Sequence, residues 1–302
     1  MQQIDVSIPR FSIVVPAYNA AATLPETLEA ISAQQFRNWE CVVVDDGSTD
    51  ATAALARRYC AADPRFRLVS QQNTGAGGAY RAGIAAASSD LLVICAADDL
   101  LLPNHLSAMD RLIGEKPDFE IYSSNGEYMS QLTGRRSQVY TEEPWLQERS
   151  LTFEDLLEAC FFGVGTVFRR QAYEDAGGHR YNVYADDYDL WLRMMAHGAR
   201  HLYTPLVLSV HRVSGFQQSA NKIRVLESEV EVYEHLLTAE ELAQERQAAA
   251  KAAIERRRKL IADEIEKEQK RPPGRVLEKL LASRLVGRIL WVIFAKRRRQ
   301  GR

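Results

Sequence analysis

Apolar runs alternate with helix-forming stretches through the first hundred residues, and this alternation constrains the fold more than any other feature. "FSIVVPAYN" (11–19), "ECVVVDDGSTD" (40–50), "FRLVSQ" (66–71) and "DLLVICAADD" (90–99) read as strands, the first ending at Pro16. Strands that are apolar throughout are buried on both faces. Between them, "TLPETLEAISAQ" (23–34), "ATAALARRYCA" (51–61) and "GAYRAGIAAAS" (78–88) read as helices, with Thr23 and Asp50 as caps for the first two. Short helices joining such strands imply a parallel sheet covered on both faces, and ligands bind such sheets beyond the carboxyl ends of the strands. Residues 16–19, 45–50, 72–75 and 98–99 are therefore expected along one edge.

The rest of the chain is less regular. A strand and a turn are expected over 119–130, a helix opened by Thr152 over 151–161, and a strand with a short helix over 165–178. An amphipathic helix over 186–198, with Leu190, Met194 and Trp191 inward, precedes a strand at 200–212. From about 221 to 270 the pattern is helical and charged; Val225, Val232, Leu236 and Leu237 form a stripe, while 243–258 reads as too polar to bury much. That segment is a candidate for pairing with a second copy, giving a homo-oligomer. After "RPPG", Leu277, Leu280, Leu281, Leu285 and Ile289 form another stripe, and "ILWVIFA" runs into "KRRR". The expected organisation is an α/β domain over 1–220, with halves 1–103 and 104–220, a charged helical segment over 221–271, and a basic amphipathic tail over 272–302. The tail either packs on the domain, self-associates, or lies on an anionic membrane surface.

Composition removes several classes. A net charge of −2 supplies no polycation for nucleic acid. The four cysteines share no short spacing, which argues against a zinc site, and Cys41 and Cys95 read as core residues in a reducing compartment. The polar start at 1–10 shows no signal peptide, and no run of about 18 apolar residues occurs to span a membrane. A cytoplasmic protein, peripheral at the inner face of the cell membrane, is the resulting expectation.

Acidic residues mark the candidate chemistry. Asp45 and Asp46 follow a strand; Asp46 either caps the turn there or, as a carboxylate at a strand end, accepts hydrogen bonds from a base or a sugar, and Tyr18 on the neighbouring strand end offers a ring for stacking. "QNTGAGGAYRAG" (72–83) is glycine-dense before a helix, but lacks both the dinucleotide fingerprint and the lysine of a phosphate-binding P-loop. Arg81 there either meets a phosphate or is a solvated surface residue. Asp98 and Asp99 suit a metal or phosphate site, or else form a polar turn. Asp186, Asp187 and Asp189 open a helix; three acids exceed what its dipole needs, which leaves one as a base. His211 at a strand end is either structural or a metal ligand.

In this order, "SIVVPAYNAAATLPETLEAISAQQFRNWECVVVDDGSTDAT", "NTGAGGAYRAGIAAASSDLLVICAADDLLLP", "VFRRQAYEDAGGHR", "ADDYDLWLRMMAHG" and "LSVHRVSGFQQS" resemble the family 2 glycosyltransferases, inverting enzymes of the GT-A fold. The resemblance covers about residues 11 to 220. It implies transfer of a sugar from a nucleotide-diphosphate donor, UDP-linked by expectation, to the hydroxyl of a glycan or lipid-linked acceptor in polysaccharide, lipopolysaccharide or other glycoconjugate assembly. It assigns donor binding to Pro16, Tyr18, Asn19, Asp46, Asp98 and Arg81, and the base to Asp187. Asp186 and Trp191 fall on the acceptor side, and Arg193 matches the same motif. A divalent cation, Mg²⁺ or Mn²⁺, would be held by Asp98 with Asp99 and His211. Three positions depart from the family: Ala96 stands where aspartate is usual, Asp186 where glutamate is commoner, and Ala79-Tyr80-Arg81 where many members read "ARN". Two rivals follow: a nucleotidyltransferase, which would need a basic loop that "PAYNAAATLP" lacks, and a non-catalytic sugar-nucleotide-binding or scaffold protein with a weakened metal site.

Overall fold

The four apolar runs lie side by side at one end of a sheet, in a computed structural model that describes residues 8–158, 160, 162–180, 184–213, 222–238 and 242–269. They are β1 (Phe11–Ala17), β2 (Trp39–Asp45), β3 (Phe66–Ser70) and β4 (Leu91–Ile94), parallel and ordered β3-β2-β1-β4. β1 continues through Pro16 to Ala17, one residue beyond the expected end. Proline is tolerated because β4 pairs with β1 only over Ser12–Val14, so the edge facing Pro16 carries no ladder. Helices α1 (Leu24–Ser32) and α2 (Thr52–Ala62) bury Leu24, Leu28, Ile31 and Ala56 against one face, beside Ile13, Val15, Cys41 and Val43. Helix α3 (Gly75–Ala86) covers the opposite face, with Ala79 on Val42 and Val44, and Ile84 beside Val14. Cys41 and Cys95 are free and buried, as expected of core residues.

One cap and one helix start differ from expectation. Thr23 stands at the start of α1 but makes no capping hydrogen bond; Pro25 in the first turn already removes one donor that would need it. Helix α3 starts three residues early, so the glycine-dense stretch is its first turn and not a loop. The cause is Asp46, whose Oδ1 and Oδ2 accept the N–H groups of Thr74 and Gly75, both at 2.9 Å. Asp50 meets its expectation: its Oδ1 accepts the N–H of Thr52 at 2.9 Å, while Oδ2 accepts that of Ala21.

Beyond β4 come β5 (Leu100–Leu101), α4 (His105–Glu115), β6 (Ile121–Ser130), β7 (Arg136–Gln138), β8 (Arg149–Leu151), α5 (Phe153–Glu158), β9 (Val167–Arg169), α6 (Arg170–Asp175), α7 (Asp186–Ala196) and β10 (His201–Val213). The sheet continues β4-β9-β6-β10-β5, with β9 antiparallel to both neighbours and β10 parallel to β6. No turn interrupts 119–130. β10 pairs along the whole of β6, and Asn125 bonds through its side chain to the backbone of Tyr140, so long-range pairing overrides the local Asn-Gly turn signal.

The charged segment forms two helices, α8 (Lys222–Thr238) and α9 (Gln244–Gln269), which pack on each other and on the α/β core. Val232, Tyr233 and Leu236 of α8 join Leu190 and Met194 of α7 in one cluster. The 243–258 stretch buries more than its polarity suggests: Ala250, Ala253 and Ile254 enter the same cluster. Arg257 is buried too, paired with Glu229 and donating to the last carbonyls of α5, at Leu157 and Glu158. Small alanines allow close approach there, and the guanidinium satisfies carbonyls that a helix end leaves open. Among the described residues no helix is long and apolar enough to cross a membrane. The tail over 272–302 lies outside the described residues.

Candidate active site

Three concavities meet at Tyr80, beyond the carboxyl ends of the strands. The first is a groove of about 560 Å³, lined by Pro16 near the end of β1, Tyr18 and Asn19 after it, Asp46 after β2, the first turns of α3, and Ala96 to Asp98 after β4. Tyr18 is 53% exposed, with its ring open to a ligand. Asn19 adopts a left-handed φ of 49° and ties its loop to the one after β2 by accepting the N–H of Thr49 at 2.8 Å. Asp46 lines the groove, yet much of its carboxylate capacity is spent on the chain itself, on Thr74, Gly75 and Gln71.

Asp98 and Asp99, adjacent in sequence, face different surroundings. Asp98 lines the groove, and its backbone carbonyl accepts Arg212 Nε at 2.9 Å. Asp99 is buried; its Oδ1 lies 3.0 Å from His211 Nδ1 and accepts the N–H of Arg212 at 3.0 Å. Burial opposes the charging of His211, but the hydrogen bond it gives Asp99 and the charges of Asp99, Asp98 and Asp187 outweigh it, so its pKa is raised. Among the described residues no group of three His, Cys, Asp or Glu side chains could hold a metal ion unaided.

The second concavity, about 430 Å³, is walled by Tyr184 to Tyr188 and by Val225, Ser228 and Glu229 of α8. Asp187 reaches both this cavity and the third, and its Oδ1 accepts the N–H of Tyr188 at 2.7 Å. Its carboxylate touches solvent at the mouth of a cleft whose protein walls still displace much of the surrounding water, and this desolvation raises its pKa. Asp186 sits deeper. Burial, and then the charge of Asp187, push its pKa up to about 7, and its Oδ2 has no hydrogen-bond partner among the described residues. Gly77 makes this closeness possible: a Cβ there would lie 2.5 Å from the Arg180 carbonyl oxygen and 3.3 Å from Asp186 Oδ2. Asp189, the third acid, is buried in an ion pair with Arg193 at 2.6 Å.

The third concavity, about 370 Å³, lies inward of the other two, with Tyr80, Ala96, Asp99, Ser124, Asp187, Trp191 and His211 on its wall. Trp191 is stacked on Phe162, with ring centroids 4.9 Å apart. In the paired strands β6 and β10, Ser209 lies beside Gly126 and His211 beside Tyr128, so alternate residues of both face this cavity.

Arg81 is the one expected site residue that the structure turns elsewhere. It lines none of the three concavities and donates instead to the carbonyls of Gly177 and His179, at 3.2 and 2.9 Å. One helical position is about 100° of rotation, and Tyr80 takes the inward direction. Tyr80, Ser124 and the α8 residues were missed from the sequence. The period-two pattern at Ser124, Gly126 and Tyr128 was the one available signal.

A mixed sheet with helices on both faces, an open groove at the strand ends and paired acids beside it define a nucleotide-sugar transferase type of fold, the GT-A fold. Residues 12–177 match the model of glycosyl transferase family 2, and the chain belongs to that family. It is 29% identical over 171 residues to the putative glycosyltransferase EpsH of Bacillus subtilis, a match covering 55% of this chain and 48% of that protein. The chain thus spans about half the length of that relative. It is 24% identical over 229 residues to the UDP-Glc:alpha-D-GlcNAc-diphosphoundecaprenol beta-1,3-glucosyltransferase WfgD of Escherichia coli, covering 73% of this chain and 84% of that one. Among solved structures it resembles the mannosyltransferase PcManGT of Pyrobaculum calidifontis, in complex with GDP-Man and Mn²⁺, with a TM-score of 0.62 and 20% identity over 93% of this chain and 83% of that one.

Proposed function

We propose that this chain is an inverting glycosyltransferase that moves a sugar from a nucleotide-diphosphate donor to an acceptor hydroxyl in surface glycan assembly. The observation that carries the reading is the Asp186–Asp187 pair, set across Tyr80 from the groove of Tyr18, Asp46 and Asp98. Asp187 takes the proton of the acceptor hydroxyl as that oxygen bonds to the anomeric carbon. The bond from that carbon to the diphosphate oxygen breaks on the opposite face, and its electron pair leaves with the nucleoside diphosphate. One displacement inverts the centre. A raised pKa suits the base, because a proton acceptor works best with a pKa near the operating pH. Asp186 keeps its own proton up to about pH 7 and so adds little competing charge below that.

The donor set fits a divalent cation that arrives with the diphosphate. Asp98 offers a carboxylate in the groove, and Asp99 fixes His211 through Nδ1, leaving Nε2 as its metal-binding nitrogen. One or two protein ligands, completed by phosphate oxygens, are a common arrangement for Mg²⁺ and its kin. When bound, the cation offsets negative charge on the departing diphosphate. Its presence in PcManGT supports this reading, and the WfgD name supports a lipid-linked acceptor. Such an acceptor suits a protein working at the inner face of the cell membrane. The test is a panel of nucleotide sugars with Mn²⁺ or Mg²⁺, monitored for release of nucleoside diphosphate. Metal-dependent release from one donor is expected. Binding without release, on any acceptor offered, would instead mark a non-catalytic sugar-nucleotide-binding protein.

A further inference from the structure

We infer that the innermost cavity is a subsite for an uncharged sugar residue and turns away sugars that carry a carboxylate. The inference rests on the glycosyl-transfer reading and deepens it. The cavity shares Tyr80 and Ala96 with the nucleotide groove, and Asp187 and His211 with the acid cleft. A sugar attached to a diphosphate beside Asp98 and presented to Asp187 has this space to enter. Its volume of about 370 Å³ is at the lower end of the range for small-molecule sites, ~300–1,000 Å³.

Charge and an unpaired hydroxyl define what fits. Asp99, Glu127 and Asp187 stand on the wall, and among the described residues neither lysine nor arginine does. The imidazole of His211 is already engaged by Asp99, with Nδ1 3.0 Å from its Oδ1. A uronate would bring a fourth carboxylate into this field and find no guanidinium or ammonium to receive it. Ser124 supplies the second, independent observation. It is 4% exposed, its Oγ has no hydrogen-bond partner among the described residues, and it lies on the cavity wall. A buried hydroxyl without a partner is costly, and a sugar hydroxyl or acetamido group completes it at no electrostatic penalty.

Equilibrium binding to the full chain with Mn²⁺ tests this, using UDP and GDP alone and the matched pairs UDP-glucose with UDP-glucuronate and GDP-mannose with GDP-mannuronate. The neutral member of a pair should bind at least about tenfold more tightly than its uronate. Ser124→Ala should weaken the neutral nucleotide sugar by about fivefold while leaving the nucleoside diphosphate unchanged. Glu127→Gln should narrow the gap within each pair. Equal or tighter uronate binding, or a Ser124→Ala loss that falls equally on the bare nucleoside diphosphate, overturns the subsite while leaving glycosyl transfer standing. If neither nucleoside diphosphates nor any nucleotide sugar binds, the transfer reading fails and takes the subsite with it.

Discussion

Tyr80 stacks on His179, with ring centroids 4.7 Å apart and planes 12° from parallel. Burial, and then the charges of Arg193 and Arg81, lower the pKa of His179 to about 3, so the imidazole beneath Tyr80 is neutral. The stack holds the phenol where all three concavities meet. Burial and the carboxylates of Asp186 and Asp187 raise its pKa well above the usual phenol value, so the hydroxyl keeps its proton.

Replacing that hydroxyl separates chemistry from packing. Tyr80→Phe retains the stack and should leave the thermal melt nearly unchanged, but lower kcat/KM by about tenfold, the worth of one hydrogen bond. Tyr80→Ala should cost about 3 kcal/mol of stability by opening a cavity above His179. Denaturant melts and steady-state kinetics on both variants make the comparison; an unchanged kcat/KM in Tyr80→Phe removes the hydroxyl from the site.

Asp187→Asn should lower kcat by roughly 10²–10⁴-fold, the usual contribution of a general base. The donor dissociation constant should stay within about threefold, since equal losses in binding and turnover would describe uniform binding and not base catalysis. Single-turnover transfer and donor titration on the same preparation decide it, and full turnover in Asp187→Asn would dismiss this residue as the base.

The acid pair links activity and stability to pH in opposite senses. Asp187 must be ionised to act, and its pKa is raised, so kcat/KM should fall with decreasing pH at an acidic limb above the ordinary carboxylate range. Asp186 shifts from 3.8 to about 7 on folding. Between those values the folded chain holds a proton that the unfolded chain has lost, so stability declines as pH rises through the window. Asp186→Asn should therefore melt above the wild type at pH 8, with the difference shrinking toward pH 4. A difference independent of pH would show that Asp186 is not held protonated by the fold.

Gly83 ties the site to the sheet. A Cβ at this position would lie 2.3 Å from Val14 Cγ1 and 2.9 Å from Val44 Cγ2, so α3 rests directly on β1 and β2. Gly83→Ala should cost about 1–3 kcal/mol through overpacking. It should also weaken donor binding, because α3 carries Tyr80 and the first turn that lines the groove. Chemical denaturation with donor titration checks both effects; a variant as stable as wild type would mean that α3 moves freely on the sheet.

Much of this was legible in the residues because it is local. Strands buried on both faces show as mostly apolar runs at 11–17, 39–45 and 91–94. Asp46, Asp98 and Asp187 stand at element ends, where parallel topology gathers ligand-binding groups. Thr152 reads as the residue that opens its helix, and it does exchange backbone N–H bonds with Asp155 at 2.9 and 3.1 Å. The polarity of 243–258 misled, because burial there rests on two alanines, one isoleucine and a paired arginine instead of a run of large apolar side chains.

By itself, the amino-acid sequence determined the order of elements, the family motifs and which acids lie at the carboxyl edge, since those depend on periodicity and neighbouring residues. Tertiary structure alone decided how those acids divide the work. Asp98 and Asp99 are one peptide apart, yet one opens to the groove and the other is taken by His211, 112 positions along the chain. Likewise a single helical step turned Arg81 outward and Tyr80 inward, and α8 closed a wall around Asp186 and Asp187. Pairing across such separations depends on how the sheet is assembled and what packs against it, and that is settled only when distant segments compete for the same buried space.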